Sequence, residues 1–169
     1  MSKSTKRVPE GFHTVTPHLV IKNCAEAIEF YKRAFAAEEL ERHPMPQSDK
    51  IMHAKIRIGD SILMLCDEFG AEHGCEGNLS PQTAGGTTVS LHLYLEDVDS
   101  AWKTAVDAGC AVRMPLSDTF WGDRYGQVSD PYGHLWSLSS HLADMTQDEV
   151  AEAAESYMES CKESCPDGT

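Results

Sequence analysis

Two histidines, His18 and His92, lie 74 residues apart in similar surroundings, PHLVI and LHLYL. Imidazole titrates near neutral pH, so either could transfer a proton; equally, each could simply hydrogen-bond inside a polar cavity. A second group is Trp121-Gly122-Asp123-Arg124. It offers an indole, a carboxylate and a guanidinium beside glycines (122 and 126) that let another group come close to the backbone. These residues could grip a ligand, or an Asp123–Arg124 pair could pin a hairpin. A third group, Cys66, Asp67, Glu68, Glu72, His73 and Cys75, mixes soft and hard donors at no recognised metal spacing. No nucleophile elbow and no glycine-rich phosphate loop is present.

The elements that must position these groups can be read from periodicity. Thr14 to Ile21 alternates, with Val15, Leu19 and Ile21 on one face and Thr14, Thr16 and His18 on the other. Asn23 with Glu26 has the spacing of a capping box, and Ala27, Ile28, Tyr31, Ala34 and Phe35 form one helical stripe after it. Strands are expected over Glu38 to His43, Ile51 to Ile58 and Ser61 to Cys66, the last two joined at Gly59-Asp60. A glycine-rich linker follows, and then the pattern starts again.

Thr87 to Leu95 alternates, Asp97 can cap a helix carrying Ala101, Trp102, Ala105 and Val106, and Gly109 can close it. A strand over Cys110 to Leu116 leads into a hairpin over Asp118 to Ser140, turning at Asp130-Pro131-Tyr132-Gly133. A shift of 74 superposes Thr16 on Ser90, His18 on His92 and Asn23 on Asp97. Each copy therefore puts apolar residues on the face a helix covers, and hydroxyls with a histidine on the other. Thr146 and Glu149 open a last amphipathic helix with Val150, Ala154, Tyr157 and Cys161 on its stripe.

Composition narrows the functional classes. The net charge of −13 argues against nucleic acid, which needs clustered Lys and Arg, although eight acids and one Lys lie in His141 to Thr169. No apolar run approaches the roughly 20 residues of a membrane span. The basic amino end lacks a following apolar segment, so a cytoplasmic protein is expected. The six cysteines show no CxxC spacing, and reduced thiols are expected.

The segments HTVTPHLVIKNCAEAIEFYKRAF and IMHAKIRIGDSILMLCDE, then VSLHLYLEDVDSAWKTAVDAG and FWGDRYGQVSDPYGHLWSL, resemble the vicinal-oxygen-chelate superfamily of glyoxalases, bleomycin-resistance proteins and dioxygenases, especially its PhnB-like branch. The resemblance implies an α+β fold of two βαβββ modules forming a cupped mixed sheet. The divisions are a first module over 12–67, a linker over 68–86, a second module over 87–141 and an acidic C-terminal helix and tail over 142–169. It also implies that metal-dependent members draw two ligands from each module, at the positions that Thr16, Met64, Ser90 and Ser137 occupy in this chain. Neither a thioether nor neutral hydroxyls suit a divalent ion, so no metal is expected at the usual positions and no cofactor is assigned. A displaced site on His18 and His92, completed by His53 or Glu96, is the alternative.

The expected function is binding of a small molecule in a cavity between the modules, with lyase or isomerase chemistry through His92 or His18 if the protein is catalytic. The lining would comprise Thr16, His53, Met64, Ser90, Tyr94, Trp121, Asp123, Arg124 and Ser137. The alternatives are sequestration of a drug or metabolite without turnover, and a metal-dependent glyoxalase or dioxygenase with a displaced histidine site. The expected partners are the small-molecule ligand and a second copy of the chain, with no nucleic acid and no membrane.

Overall fold

A computed structural model describes residues 6–70, 74 and 77–164, with the side chains of 161–164 left aside. The chain runs β1 (His18–Ile21), α1 (Cys24–Phe35), β2 (Glu38–Pro44), β3 (Ile51–Ile58), β4 (Ser61–Asp67), α2 (Pro81–Ala84), β5 (Ser90–Tyr94), α3 (Val98–Ala108), β6 (Ala111–Asp118), β7 (Asp123–Ser129), β8 (Leu135–His141) and α4 (Gln147–Ser164). The eight strands form two four-stranded sheets, ordered β1-β4-β3-β2 and β5-β8-β7-β6. In each sheet the first strand runs parallel to the last, and the other pairs are antiparallel. This is the expected repeat of strand, helix and three strands.

The first strand is shorter than its alternating pattern. Thr14 to Thr16 precede β1, and Val15 is 83% exposed rather than on the core face. The Thr16 hydroxyl donates to the His13 carbonyl. In the second module β5 starts at Ser90, not Thr87. β5 starts opposite Leu135, the first residue of its parallel partner, whereas β1 starts at His18 although β4 extends three residues further, to Ser61.

The Asn23 capping box does not form. Asn23 adopts a left-handed φ of 60° and its side chain makes no cap bond. The Asp67 carboxylate, at the end of β4, accepts from Cys24 N at 3.0 Å and from Ile51 N at 2.6 Å. A buried acceptor from the neighbouring strand has taken over a donor of the first helical turn. The other caps form as expected: Asp97 accepts from Ser100 N at 3.0 Å, and Thr146 and Glu149 bond reciprocally.

One core serves both modules. The helix α1 packs against α3, and Phe35 and Tyr31 of α1 lie 4.3 and 5.4 Å (ring centroids) from Trp136 of β8. Leu19, Ile21, Ala54, Ile56, Leu63 and Leu65 of the first sheet join Val128, Trp136 and Leu138 of the second in the buried cluster. Among the described residues no helix is long and apolar enough to cross a membrane.

The linker between modules is not structureless. Pro81–Ala84 forms a single helical turn, with the Ser80 hydroxyl accepting from Thr83 N. Glu68 accepts from Ser80 and Thr83, and Gln82 Nε2 donates to the Pro131 carbonyl at 3.0 Å. The linker is thereby tied to the end of β4 on one side and to the closing turn of the second module on the other. Of the mixed-donor group in this linker, Glu72, His73 and Cys75 lie outside the described residues. Asp67 and Glu68 are occupied by the structural bonds just described.

Candidate functional site

Period-two geometry sorts β8 into two faces. Trp136 and Leu138 enter the core, and Ser137 and Ser139 lie on the opposite side. The same alternation in β7 directs Asp123, Tyr125 and Gln127 to the serine side, with Arg124 and Gly126 towards α3. Ser137 is the centre of a polar network. Its Oγ shares hydrogen bonds of 2.9 Å with Ser90 Oγ and 2.9 Å with Tyr125 OH, and receives a longer one, 3.5 Å, from Gln127 Nε2.

Aromatic rings border this network. His92 lies 4.6 Å from the Tyr94 ring and 5.7 Å from Tyr125, and Trp121 lies 5.7 Å from Tyr125 on the other side. Tyr94 OH donates to Asp123 Oδ2 at 3.2 Å, and His141 Nδ1 meets Asp123 Oδ1 at 2.8 Å. Burial alone would raise the Asp123 carboxyl, but hydrogen bonds from His141, Tyr94 and Trp121 outweigh it and hold the group below its usual range. His141 is raised by its bonds to Asp123 and Asp144. Ser139, fully buried between Tyr94 and Tyr125 in register, has an Oγ without a partner.

The corresponding face of the first module is built differently. His18 meets His53 edge-on at 6.0 Å, and His53 stacks with His43 at 6.3 Å. Burial and then the neighbouring His53 push the His18 pKa down. Glu41 Oε1 lies 2.7 Å from Lys55 Nζ and 3.7 Å from His53 Nε2. Met64 is the parallel partner of His18, as Ser137 is of His92, so the register supports treating Met64 and Ser137 as equivalent positions.

The residues proposed from sequence thus divide. Ser90, His92, Tyr94, Trp121, Asp123 and Ser137 are brought together on the second sheet, and His18, His53 and Met64 on the first. Thr16 stands just before β1. Arg124 does not pair with Asp123, because neighbours in a strand point to opposite faces. It makes a two-pronged bond to Asp99 at 2.7 and 2.8 Å and a further bond to Asp118 at 2.8 Å, which ties α3 to β6 and β7. The glycines in this hairpin admit the chain itself. A Cβ at Gly126 would lie 2.5 Å from the Trp102 ring, and one at Gly122 would lie 2.4 Å from the Ala143 carbonyl oxygen.

Tyr125, Gln127, Ser139 and His141 belong to the second face and were not singled out from sequence. Extending the alternation from Asp123 would have found Tyr125 and Gln127. Nothing local marks His141, whose role depends on a carboxylate 18 positions away.

The residues at the positions where the resemblance implies metal ligands, Thr16, Met64, Ser90 and Ser137, suit a divalent ion poorly. Thr16 is bonded to backbone, Met64 offers a thioether, and the Ser90 and Ser137 hydroxyls are directed at each other. Among the described residues His18 and His92 have ring neighbours from their own modules. Among the described residues no three His, Cys, Asp or Glu side chains are grouped to hold a metal. Cys24 and Cys110 are buried thiols whose pKa values burial pushes up to about 12, which makes them poor nucleophiles.

The paired βαβββ modules and their outward polar faces define a class, and comparison agrees: residues 11–138 match the Glyoxalase/Bleomycin resistance protein/Dioxygenase superfamily, and the chain belongs to it. It is 43% identical over 142 residues to the uncharacterized protein Rv0887c of Mycobacterium tuberculosis, covering 84% of this chain and 82% of that one. Among solved structures it is similar to TioX from Micromonospora sp. ML1, at 26% identity and a TM-score of 0.58, over 79% of this chain and all of that one. A PhnB protein from Bacillus cereus shares the fold, with 20% identity, a TM-score of 0.58 and coverage of 76% and 99%.

Proposed function

We propose that the protein binds an aromatic, cationic small molecule on the serine–tyrosine face of its second module and holds it without turnover. The observation that carries this reading is the Ser90–Ser137–Tyr125 network, in which groups at the metal-ligand positions satisfy one another and leave a floor flanked by Trp121, His92 and Tyr94. Aromatic rings attract flat and cationic ligands through dispersion and their negative faces, and the chain's charge of −13 favours cations at longer range. An acid–base catalyst needs an oriented imidazole. Among the described residues neither His92 nor His18 has a hydrogen bond to a ring nitrogen, and the oriented imidazole of this face, His141, has both nitrogens engaged by Asp123 and Asp144, which favours binding over lyase or isomerase chemistry.

We also propose that a second copy of the chain completes the cavity. The helix-covered sides of both sheets are spent on the shared core, and the opposite faces remain open, with Tyr94 66% and Met114 49% exposed. No hydrogen bond, ion pair or ring contact among the described residues joins the His18 face to the Ser137 face. Dimerisation would bring a first-module face over a second-module face and cover both.

Bleomycin, a cationic aromatic glycopeptide, is a suitable probe. Its addition is expected to raise the melting temperature and quench Trp121 fluorescence, with the compound recovered intact by mass spectrometry. Tyr125→Phe with Ser137→Ala should weaken binding about 10-fold or more, since it removes several polar contacts of the floor. Consumption of the probe would overturn sequestration, and equal affinity of the double variant would move the site elsewhere.

A further inference from the structure

Trp121 borders the Ser137 face but does not belong to a strand. β6 ends at Asp118 and β7 begins at Asp123, so Trp121 stands on the turn between them, 37% exposed, with its ring edge-on to Tyr125 at 5.7 Å. The turn closes through Thr119 N to the Asp123 carbonyl at 2.8 Å and Gly122 N to the Thr119 carbonyl at 3.3 Å, and neither bond involves Trp121. A side chain on a turn has no ladder to hold it, so its position depends on what packs against its neighbours. Both neighbours of Trp121 are held by the segment that follows β8. The Gly122 carbonyl accepts from Leu142 N at 2.8 Å and Ala143 N at 3.1 Å, and Met145 lies so close that a Cβ on Gly122 would be 3.3 Å from its Sδ. On the other side, Phe120 lies 5.5 Å from the Tyr157 ring of α4 and meets Trp121 edge-on at 4.9 Å.

The helix that carries Tyr157 is itself fixed. Its start is set by the Thr146–Glu149 cap and by His141 Nε2, which meets Asp144 Oδ1 at 3.1 Å. Val150, Ala153 and Ala154 are half-buried, while Asp148, Glu149, Glu152 and Glu155 are exposed. Tyr157 follows Val150 by seven residues, about two helical turns, and so falls on the same face. The superfamily match ends at residue 138, so these contacts reach the site from outside the shared domain.

We infer that α4 braces the ligand site: Tyr157, acting through Phe120, is a positioning residue that seats Trp121 against an aromatic ligand. The inference rests on the binding reading given above and adds a determinant of that same site. Tyr157 acts on Trp121 and not on the ligand. Coupling of this kind is reciprocal, so a ligand stacked on Trp121 would in turn tighten α4 on the domain.

Labelling the full chain with 5-fluorotryptophan gives three fluorine resonances, one for each of Trp102, Trp121 and Trp136, and the one lost in Trp121→Phe is that of Trp121. Tyr157→Ala should shift or broaden the Trp121 resonance in the ligand-free protein and leave the other two in place. It should also weaken bleomycin binding about 3- to 10-fold, the size of one aromatic pair. Tyr157→Phe keeps the ring and should restore both the resonance and the affinity. Met158→Ala, one position along the helix and 60% exposed in the wild type, should change neither. In a Trp121→Ala background, Tyr157→Ala should cost no further affinity. An unmoved Trp121 resonance or wild-type affinity in Tyr157→Ala, or a loss as large in Tyr157→Phe, would overturn the brace and leave the binding reading standing. Wild-type protein that fails to bind bleomycin would remove the binding reading instead, and the Trp121 resonance would still decide whether α4 seats the ring.

Discussion

Asp130 joins the two modules at the level of a single carboxylate. It accepts from Tyr31 OH at 2.8 Å and Trp136 Nε1 at 2.9 Å, and from the backbone of Tyr132 and His134 at 2.9 Å each. Burial and then the adjacent carboxylate push the Tyr31 pKa well up, so the phenol remains a donor. Asp130→Ala would strand two buried side-chain donors and should lose about 3 kcal/mol or more in urea unfolding. Tyr31→Phe removes one bond and should lose about 1 kcal/mol.

The His141–Asp123 pair sets a pH window. His141 is raised, so its contribution is complete below about pH 6.5, the unfolded value, and is lost as pH rises through the folded value. Asp123 is lowered, so its contribution is present above about pH 3.9 and is lost as pH falls through its folded value. Stability from this pair should therefore be greatest between those limits. Relative to His141→Gln, the wild-type protein should lose stability between pH 6 and pH 8.5, measured by urea unfolding at each pH. Parallel curves would show that the pair contributes nothing.

Among the elements, α3 is held by contacts that only a glycine permits. Trp102 lies against the backbone of β7 at Gly126, where a Cβ would sit 2.5 and 2.8 Å from the ring and 3.0 Å from Leu116 Cα. Two atoms of the overlap belong to a large ring and one to backbone, so relief requires α3 to shift. Gly126→Ala should cost about 1–3 kcal/mol in thermal or urea unfolding, and Trp102→Leu in the same chain should recover part of it. A neutral Gly126→Ala would mean that α3 is free to move. The helix α1 is anchored differently, by Asp67 at the end of its own sheet. Strand-to-helix capping replaces the local Asn23 box because a buried, pre-positioned carboxylate is a better acceptor than a side chain that must compete with water.

At the scale of the molecule, two sheets share one apolar interior and leave two chemically unlike faces open. One is rich in histidine with Glu41 and Lys55, and the other in hydroxyls and aromatic rings. Sedimentation velocity is expected to show a species of two 18.6 kDa chains, and Tyr94→Asp should shift it towards the single chain by placing charge on the covered face. A single chain at all concentrations would remove the second copy from the proposed cavity.

Periodicity and turn chemistry made the order of elements, the duplication and the core stripes legible in the sequence, because alternation and helical spacing are local properties that burial rewards directly. Asp97, Thr146, Gly109 and Gly133 were readable for the same reason: each cap or turn is completed within a few residues. The residues of the second face were mostly legible too, once strand parity was known. Only the tertiary structure decided which groups are occupied. Arg124 is claimed by Asp99, 25 residues earlier, Asp67 by Cys24, 43 residues earlier, and Asp130 by Tyr31, 99 residues earlier. Such partners are set by packing between elements, which brings donors and acceptors together across distances that leave no pattern in the chain.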